Sequence, residues 1–247
     1  MEPHGRTALV TGATKGIGRA IALDLAAHHV KVLLNYRQDD ERAKQTLSEA
    51  QDLRPDCELL QGDVADSADV DQIFRRIRTE HGRLDMFVSN AGVTADGFAL
   101  MMGEQKWRQV IDTNLTGAFL CCRAAGRIMG GQRAGAIVVV GSASGLAAPA
   151  GQANYAASKA GLLSLVGVLA KELGGYGVRV NAVVPGFVDT AMTRGMPRDQ
   201  LDTHLDNIPL GRIGQPEEVA PAVRFLLSEE ARYITGAAVA VDGGLTC

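Results

Sequence analysis

Aromatic side chains make up only 4% of the 247 residues, and charge of one sign never accumulates. The net charge is −3 and there is no run of lysines or arginines, which argues against nucleic acid as the main partner. No apolar run approaches the ~18–20 residues that a membrane-spanning helix needs, so no membrane partner is expected. The stretch Met1-Glu2-Pro3-His4-Gly5-Arg6 lacks the charged-then-apolar pattern of a secretory signal, and the expected compartment is the cytoplasm. Cysteine is scarce: Cys57, Cys121, Cys122 and Cys247 do not have the spacing of metal ligands, so no metal site is expected. They read as buried free thiols in a reducing compartment, with the adjacent Cys121 and Cys122 pointing to different sides of their element.

The hydrophobic fraction of 46% and charged fraction of 21% suit a globular chain with a sizeable core. Twenty-nine glycines imply tight turns and close backbone packing. Short apolar runs alternate with amphipathic stretches throughout. Strands are expected at Arg6–Thr11, Val30–Leu34, Cys57–Gln61, Leu84–Ser89, Ala136–Gly141, Val178–Val184 and Ala237–Val241. Between them the pattern predicts helices over Arg19–His29, Asp40–Leu53, Ser67–His81, Gly103–Met129, a helix carrying Tyr155 to Leu173, and Pro216–Ser228. A polar loop with a short helix fills Pro185–Asn207, and a substrate lid is expected over about 186–209. Such alternation means an α/β fold, a doubly wound parallel sheet of Rossmann type with helices on both faces. No composition break divides the chain, so residues 1–247 read as one domain.

The first apolar run ends in Thr11-Gly12-Ala13-Thr14-Lys15-Gly16-Ile17-Gly18, a glycine turn between a strand and a helix. Gly12 permits the sharp turn, while Gly16 and Gly18 let the backbone approach a pyrophosphate and the helix pack on the strand. The helix N-terminus would then offer N–H groups and a positive dipole end to the anion. A purely structural turn is the alternative. The second strand ends in Asn35-Tyr36-Arg37, with no carboxylate before Asp39 to accept from a ribose 2′-hydroxyl. Arg37 and Lys15 would instead attract a 2′-phosphate, which favours NADP(H) over NAD(H). Two solvated surface cations are the bland reading of the same residues.

Tyr155 and Lys159 are four residues apart, one helical turn, within Asn154-Tyr155-Ala156-Ala157-Ser158-Lys159. At ~4.5 Å and an effective dielectric of ~20, an ammonium favours phenolate by roughly 3–4 kcal/mol. That would bring a tyrosine from ~10 towards ~7, where it can exchange a proton with an alcohol or alkoxide. Taken alone, the spacing is common by chance and reads as an exposed helical pair; the rest of the chain changes that reading.

Together these motifs resemble the short-chain dehydrogenase/reductase family over essentially the whole chain. The glycine turn matches the family's cofactor turn, Asp63-Val64 its adenine-contacting pair, and Asn90-Ala91-Gly92 its strand end. Asn114, Ser142, Tyr155 and Lys159 fall on its catalytic tetrad, and Pro185-Gly186 with Thr190 on its nicotinamide loop. Within the family, the chain is most similar to 3-oxoacyl-[acyl-carrier-protein] reductases, through Gly151–Gly161, Pro185–Thr190, Tyr233–Gly236 and Asp242–Gly244. The resemblance implies NADPH-dependent reduction of a 3-oxoacyl thioester on acyl carrier protein, in fatty-acid or polyketide-type biosynthesis.

It also implies roles. Ser142 would hydrogen-bond the substrate carbonyl, with Ser144 as the rival. Tyr155 would protonate the carbonyl oxygen, and Lys159 would lower the Tyr155 pKa and hold the ribose. Asn114 would join the proton relay, although as a polar residue amid Val110, Ile111, Leu115 and Phe119 it reads equally as a satisfied helix-interior amide. Cofactor contacts would fall on Gly12, Thr14, Lys15, Gly16, Ile17, Gly18, Asn35, Arg37, Asp63, Val64, Asn90, Ala91, Gly92, Tyr155, Lys159, Pro185, Gly186, Val188 and Thr190. Two departures stand out: Ser89 replaces an asparagine common in the family, and Ala147–Ala150 makes the loop before Tyr155 apolar and partly stiff.

An acidic carrier protein needs a basic rim, for which Arg123, Arg127, Arg133, Arg194 and Arg198 are the candidates. The alternatives are the same chemistry on a free ketone, sugar, steroid or specialised metabolite, or a non-catalytic dinucleotide sensor. The family's habit implies a homotetramer, and the helices around Leu115–Met129 and Leu162–Leu173 carry apolar residues on more than one face.

Overall fold

The structure is a computed structural model that describes residues 5–194 and 205–247. Seven strands form one parallel sheet: β1 (Thr7–Val10), β2 (Lys31–Tyr36), β3 (Glu58–Gln61), β4 (Met86–Ser89), β5 (Gly135–Val140), β6 (Val178–Pro185) and β7 (Ala238–Val241). Their order is β3-β2-β1-β4-β5-β6-β7. The chain therefore builds outward from β1 in one direction, then crosses to β4 and builds in the other. At that reversal the connections leaving β1 and β4 part to opposite faces and open a crevice at the C-terminal ends of the strands.

Burial follows from the strand period of two. Ala8, Val10, Val32, Leu34, Met86 and Val88 face one core, which α1 (Gly16–Ala27) and α9 (Pro216–Leu227) cover. Leu9, Leu33, Phe87, Ile137 and Val139 face the other, covered by α3 (Ser67–Arg76), α5 (Gly117–Gln132) and α7 (Ala153–Gly174). Strands buried on both faces must be apolar throughout, which is why they read as continuous apolar runs.

Helix α2 spans Asp40–Leu53 as expected, capped by Asp39, which accepts from the Arg42 N–H. α3 starts at Ser67 because Asp66 accepts from the N–H groups of Ala68 and Asp69. Its last turn, Ile77–His81, winds as a π-helix. The long helix expected over Gly103–Met129 runs without interruption from Glu104 to Gln132, with a π-turn at Asp112–Thr116 between α4 (Glu104–Ile111) and α5. The π-turn has a tertiary cause. Asn114 turns inward to bond the chain leaving β4, and Gly117 lets the helix pass the Val64 carbonyl, which a Cβ would meet at 2.8 Å. The described residues also include two short helices, α6 (Ser144–Ala147) and α8 (Ala191–Arg194).

Cys57, Cys121 and Cys122 are buried thiols, whereas Cys247 is exposed. Cys121 and Cys122, adjacent on α5, both enter the same core cluster. No helix among the described residues is long and apolar enough to cross a membrane.

Candidate active site

β5 ends at Val140, and the next residues bring Ser142 to the crevice. The Ala143 N–H donates to the Pro185 carbonyl at 2.9 Å, tying this loop to the end of β6. α7 begins at Ala153 and presents Tyr155 and Lys159 on successive turns of one face. The Lys159 ammonium is 5.7 Å from the centre of the Tyr155 ring and donates to the Val140 carbonyl at 2.8 Å. It is only 5% exposed, and burial brings its pKa down to about 8.

Tyr155 does not show the lowered pKa expected of it. Burial pushes the phenol upward, the hydrogen bond with the Ser142 hydroxyl opposes that, and the charge of Asp96 adds to the rise. Desolvation outweighs the hydrogen bond, and the Lys159 ammonium lies over the ring with a carbonyl of its own to satisfy. Without cofactor or substrate, Tyr155 is firmly a protonated phenol. Ser144 opens α6, and its backbone N–H donates to the Ser142 hydroxyl at 3.2 Å. Of the two serines it is Ser142 that faces Tyr155.

Asn114 is fully buried in the π-turn. Its amide oxygen accepts from the Val93 N–H at 2.8 Å, and its amide nitrogen donates to the Val93 carbonyl at 3.0 Å and the Ser158 hydroxyl at 3.2 Å. Ser158 in turn donates to the Tyr155 carbonyl at 2.7 Å. The side chain is thus a satisfied amide that clamps the chain after β4 to the tyrosine helix. Sequence reasoning missed three residues of this clamp and its surroundings. Ser158 is one. Asn154, also fully buried, bonds the carbonyls of Ala95 and Lys106 and accepts from the Tyr155 N–H. Asp96 is the third. Polar residues one turn apart on the buried side of an otherwise apolar helix were the available signal for the first two.

On the cofactor side, Gly12 and Gly16 have φ of +62° and +51°, which only glycine adopts without strain. A Cβ at Gly18 would collide with the Gly12 carbonyl oxygen and with the Asn90 amide. Asn90 braces the turn by donating to the carbonyls of Thr11 and Gly12 at 2.9 and 3.1 Å. The Thr11 hydroxyl accepts from the N–H groups of Asn90 and Ala91. Lys15 caps α1 with no side-chain hydrogen bond, and the first turn holds no acidic residue. Its N–H groups are therefore free of a competing side-chain anion, as a bound pyrophosphate requires. The glycine cradle and the uncapped helix end fit a dinucleotide.

The remaining expected contacts divide. Ile17 lies on the first turn of α1, while Thr14 is buried and its carbonyl accepts from Thr46. Val64 and Gly92 flank the π-turn, Gly92 within 3.4 Å (by an added Cβ) of the Asn114 oxygen. Gly186 passes so close to Asp242 that a Cβ would stand 2.7 Å from it. Val188 bridges to Gly214, and Thr190 meets the glycine turn, 3.2 Å from where a Cβ of Gly16 would be. Asn35 turns away: its buried amide donates to the carbonyls of Leu60 and Gly62. Arg37, half exposed, pairs with Asp63 at 3.3 Å, so the expected phosphate-binding and adenine-binding side chains are already in contact.

The proposed basic rim mostly lies elsewhere. Arg133 stands just before β5, at the opposite end of that strand from Ser142, ~20 Å away at ~3.3 Å per residue. It donates to the Gly175 carbonyl. Arg127 precedes it by under two turns of α5, and Arg123 stacks on Phe119 at 5.4 Å. Arg194 is on the cleft side and pairs with Asp189. Arg198 falls outside the described residues.

Comparison with known proteins adds independent weight. The family model described as enoyl-(acyl carrier protein) reductase matches residues 12–246. A 3-oxoacyl-[acyl-carrier-protein] reductase of Synechocystis sp. is 44% identical over 241 residues, 97% of this chain and 96% of that protein. The 3-oxoacyl-[acyl-carrier-protein] reductases FabG of Staphylococcus aureus and Escherichia coli are each 42% identical, over 97% and 99% of this chain and 98% and 99% of their own.

Proposed function

The chain belongs to the short-chain dehydrogenase/reductase family and is an oxidoreductase, and from that premise we propose that it reduces the 3-oxo group of a 3-oxoacyl thioester carried on acyl carrier protein. The observation that carries this reading is the Ser142–Tyr155 hydroxyl pair beside the buried Lys159, at the end of the crevice next to the glycine turn.

NADPH bound along the glycine turn supplies the hydride. Gly12, Gly16, Gly18 and the first N–H groups of α1 would hold the pyrophosphate, with Thr190 beside them. Lys15 and Arg37 would take the 2′-phosphate, Arg37 by leaving Asp63. Ser142 donates a hydrogen bond to the substrate ketone oxygen, and Tyr155, held protonated by burial, gives that oxygen its proton. The phenolate left behind needs a cation. An ammonium ~5–6 Å away at an effective dielectric of ~20 is worth ~3 kcal/mol, which is the work we assign to Lys159. Asn114 acts through Ser158 as a positioning residue, since its own amide is fully engaged.

The family model's description raises a second reading, reduction of an enoyl thioester. That reaction delivers its proton to carbon, whereas two hydroxyls side by side suit a carbonyl oxygen. NADPH oxidation with acetoacetyl carrier protein tests both: we expect turnover well above that with simple ketones, and none with crotonyl carrier protein. A rate no higher than with simple ketones would sink the carrier assignment.

We also read the exposed apolar residues Phe119 on α5, Val168 on α7 and Val239 on edge strand β7 as contacts between copies in a homotetramer working in the cytoplasm. Light scattering showing a monomer would overturn the assembly.

A further inference from the structure

The segment after β4 is laced to the start of the tyrosine helix. The Ala95 carbonyl accepts from the Asn154 amide at 3.0 Å, and the Gly97 N–H donates to the Gly151 carbonyl at 2.8 Å. Gly97 also pairs with Gln152 in an isolated parallel bridge. Asp96 stands between these ties and is exposed, and its carboxylate accepts from the Gln152 amide nitrogen at 3.1 Å. No cation among the described residues pairs with that carboxylate. The Lys106 ammonium donates to the Asp96 backbone carbonyl instead, at 3.3 Å. The negative charge of Asp96 reaches the Tyr155 phenol. The hydroxyl it acts on is the one bonded to Ser142, where the ketone oxygen would bind.

An exposed carboxylate on an outer surface is solvated and changes nothing nearby. One fixed beside a proton donor, with no cation to cancel it, acts on whatever charge a substrate carries next to its reacting carbon. The reacting end of a 3-oxoacyl thioester is neutral. A free 3-oxo acid presents the same ketone with a carboxylate two bonds from the ketone carbon, so binding it would bring two anions together. We propose that Asp96 is a specificity-determining residue that rejects ketones carrying a carboxylate, so that the acyl group is accepted only in esterified form. The inference rests on the ketoreductase reading and deepens it. Gln152 is a positioning residue in it, acting only by orienting the Asp96 carboxylate.

The test compares methyl acetoacetate with acetoacetate, which differ by one methyl group and one charge, as substrates of the NADPH-loaded enzyme at neutral pH. At low ionic strength the wild type should prefer the ester by about tenfold or more in kcat/KM. Asp96→Asn keeps the side chain's shape and an oxygen for the Gln152 amide, and it removes the charge. It should cut the ester-to-acid ratio about tenfold, through a gain in kcat/KM for acetoacetate. Raising salt from about 20 mM to about 0.5 M should shrink the wild-type ratio and leave that of Asp96→Asn where it is, since only a charge–charge interaction is screened. A disturbance of the fold would lower both substrates together and leave the ratio unmoved. A ratio unchanged in Asp96→Asn, or a wild-type ratio indifferent to salt, overturns the inference and leaves the ketoreductase reading intact. A wild-type enzyme that reduces neither methyl acetoacetate nor acetoacetyl carrier protein overturns that reading and the inference together.

Discussion

Around the glycine turn, Thr11, Asn90 and Asn35 find their hydrogen-bond partners within the chain, and a single methyl group at Gly18 has nowhere to go. Across the crevice the construction differs. There the Gln152 oxygen is unpartnered, burial and the charge of Asp96 keep Tyr155 protonated, and Phe98, Leu100, Met101 and Leu146 stand exposed. A dinucleotide is the same molecule at every turnover, so its cradle can be built in advance from backbone and internal bonds. The substrate side is completed by what binds to it. Substitutions in the first region should therefore cost stability and cofactor affinity, and those in the second should cost turnover.

The largest separation is expected from Tyr155→Phe. Loss of the proton donor should lower kcat by about 10³-fold, within the usual 10²–10⁴ for a general acid. Its thermal midpoint should stay near that of wild type. Gly18→Ala should do the reverse, costing about 3 kcal/mol of stability in a denaturant melt because the new Cβ meets backbone, not a yielding side chain.

Lys159 joins the two regions, and its burial sets a pH dependence. Its pKa is about 8 folded, against 10.5 for the free side chain. The unfolded chain therefore holds the proton more tightly, and burying Lys159 costs stability below pH ~8, a cost relieved as pH rises from ~8 to ~10.5. Lys159→Met should melt higher than wild type in the cofactor-free protein at neutral pH, by up to about 3 kcal/mol. That gap should close towards pH ~10. A constant gap would mean the lysine is not buried as a cation. The smallest effect belongs to Arg37. Because it is half exposed and already paired with Asp63, Arg37→Ala should weaken NADPH about tenfold in calorimetric titration and leave NADH unchanged. Equal losses for both cofactors would remove Arg37 from the phosphate site.

Legibility followed a different divide, between local and sequence-distant contacts. Helix α2 runs from Asp40 to Leu53 as its pattern dictates, and the glycine turn, the strands and the Tyr155–Lys159 pair are local signals that spacing alone reveals. The π-turn at Asp112–Thr116 is not local in that sense: its cause is the Val93 backbone that Asn114 reaches, distant in sequence. Arg37 and Asp63 meet only because β2 and β3 pair in parallel and end together. Arg133 reads as near Ser142 in sequence, yet strand β5 separates them by its full length. The Tyr155 pKa went the other way from expectation because charge is visible in sequence and desolvation is not.

The most direct test of the contrast is one NADPH fluorescence titration, run side by side on Tyr155→Phe and Gly18→Ala, with acetoacetyl carrier protein turnover measured on the same samples. The account predicts that Tyr155→Phe binds NADPH within about twofold of wild type while its turnover collapses, and that Gly18→Ala loses NADPH binding itself. Tyr155→Phe losing affinity in step with turnover, or Gly18→Ala binding NADPH like wild type, would contradict it.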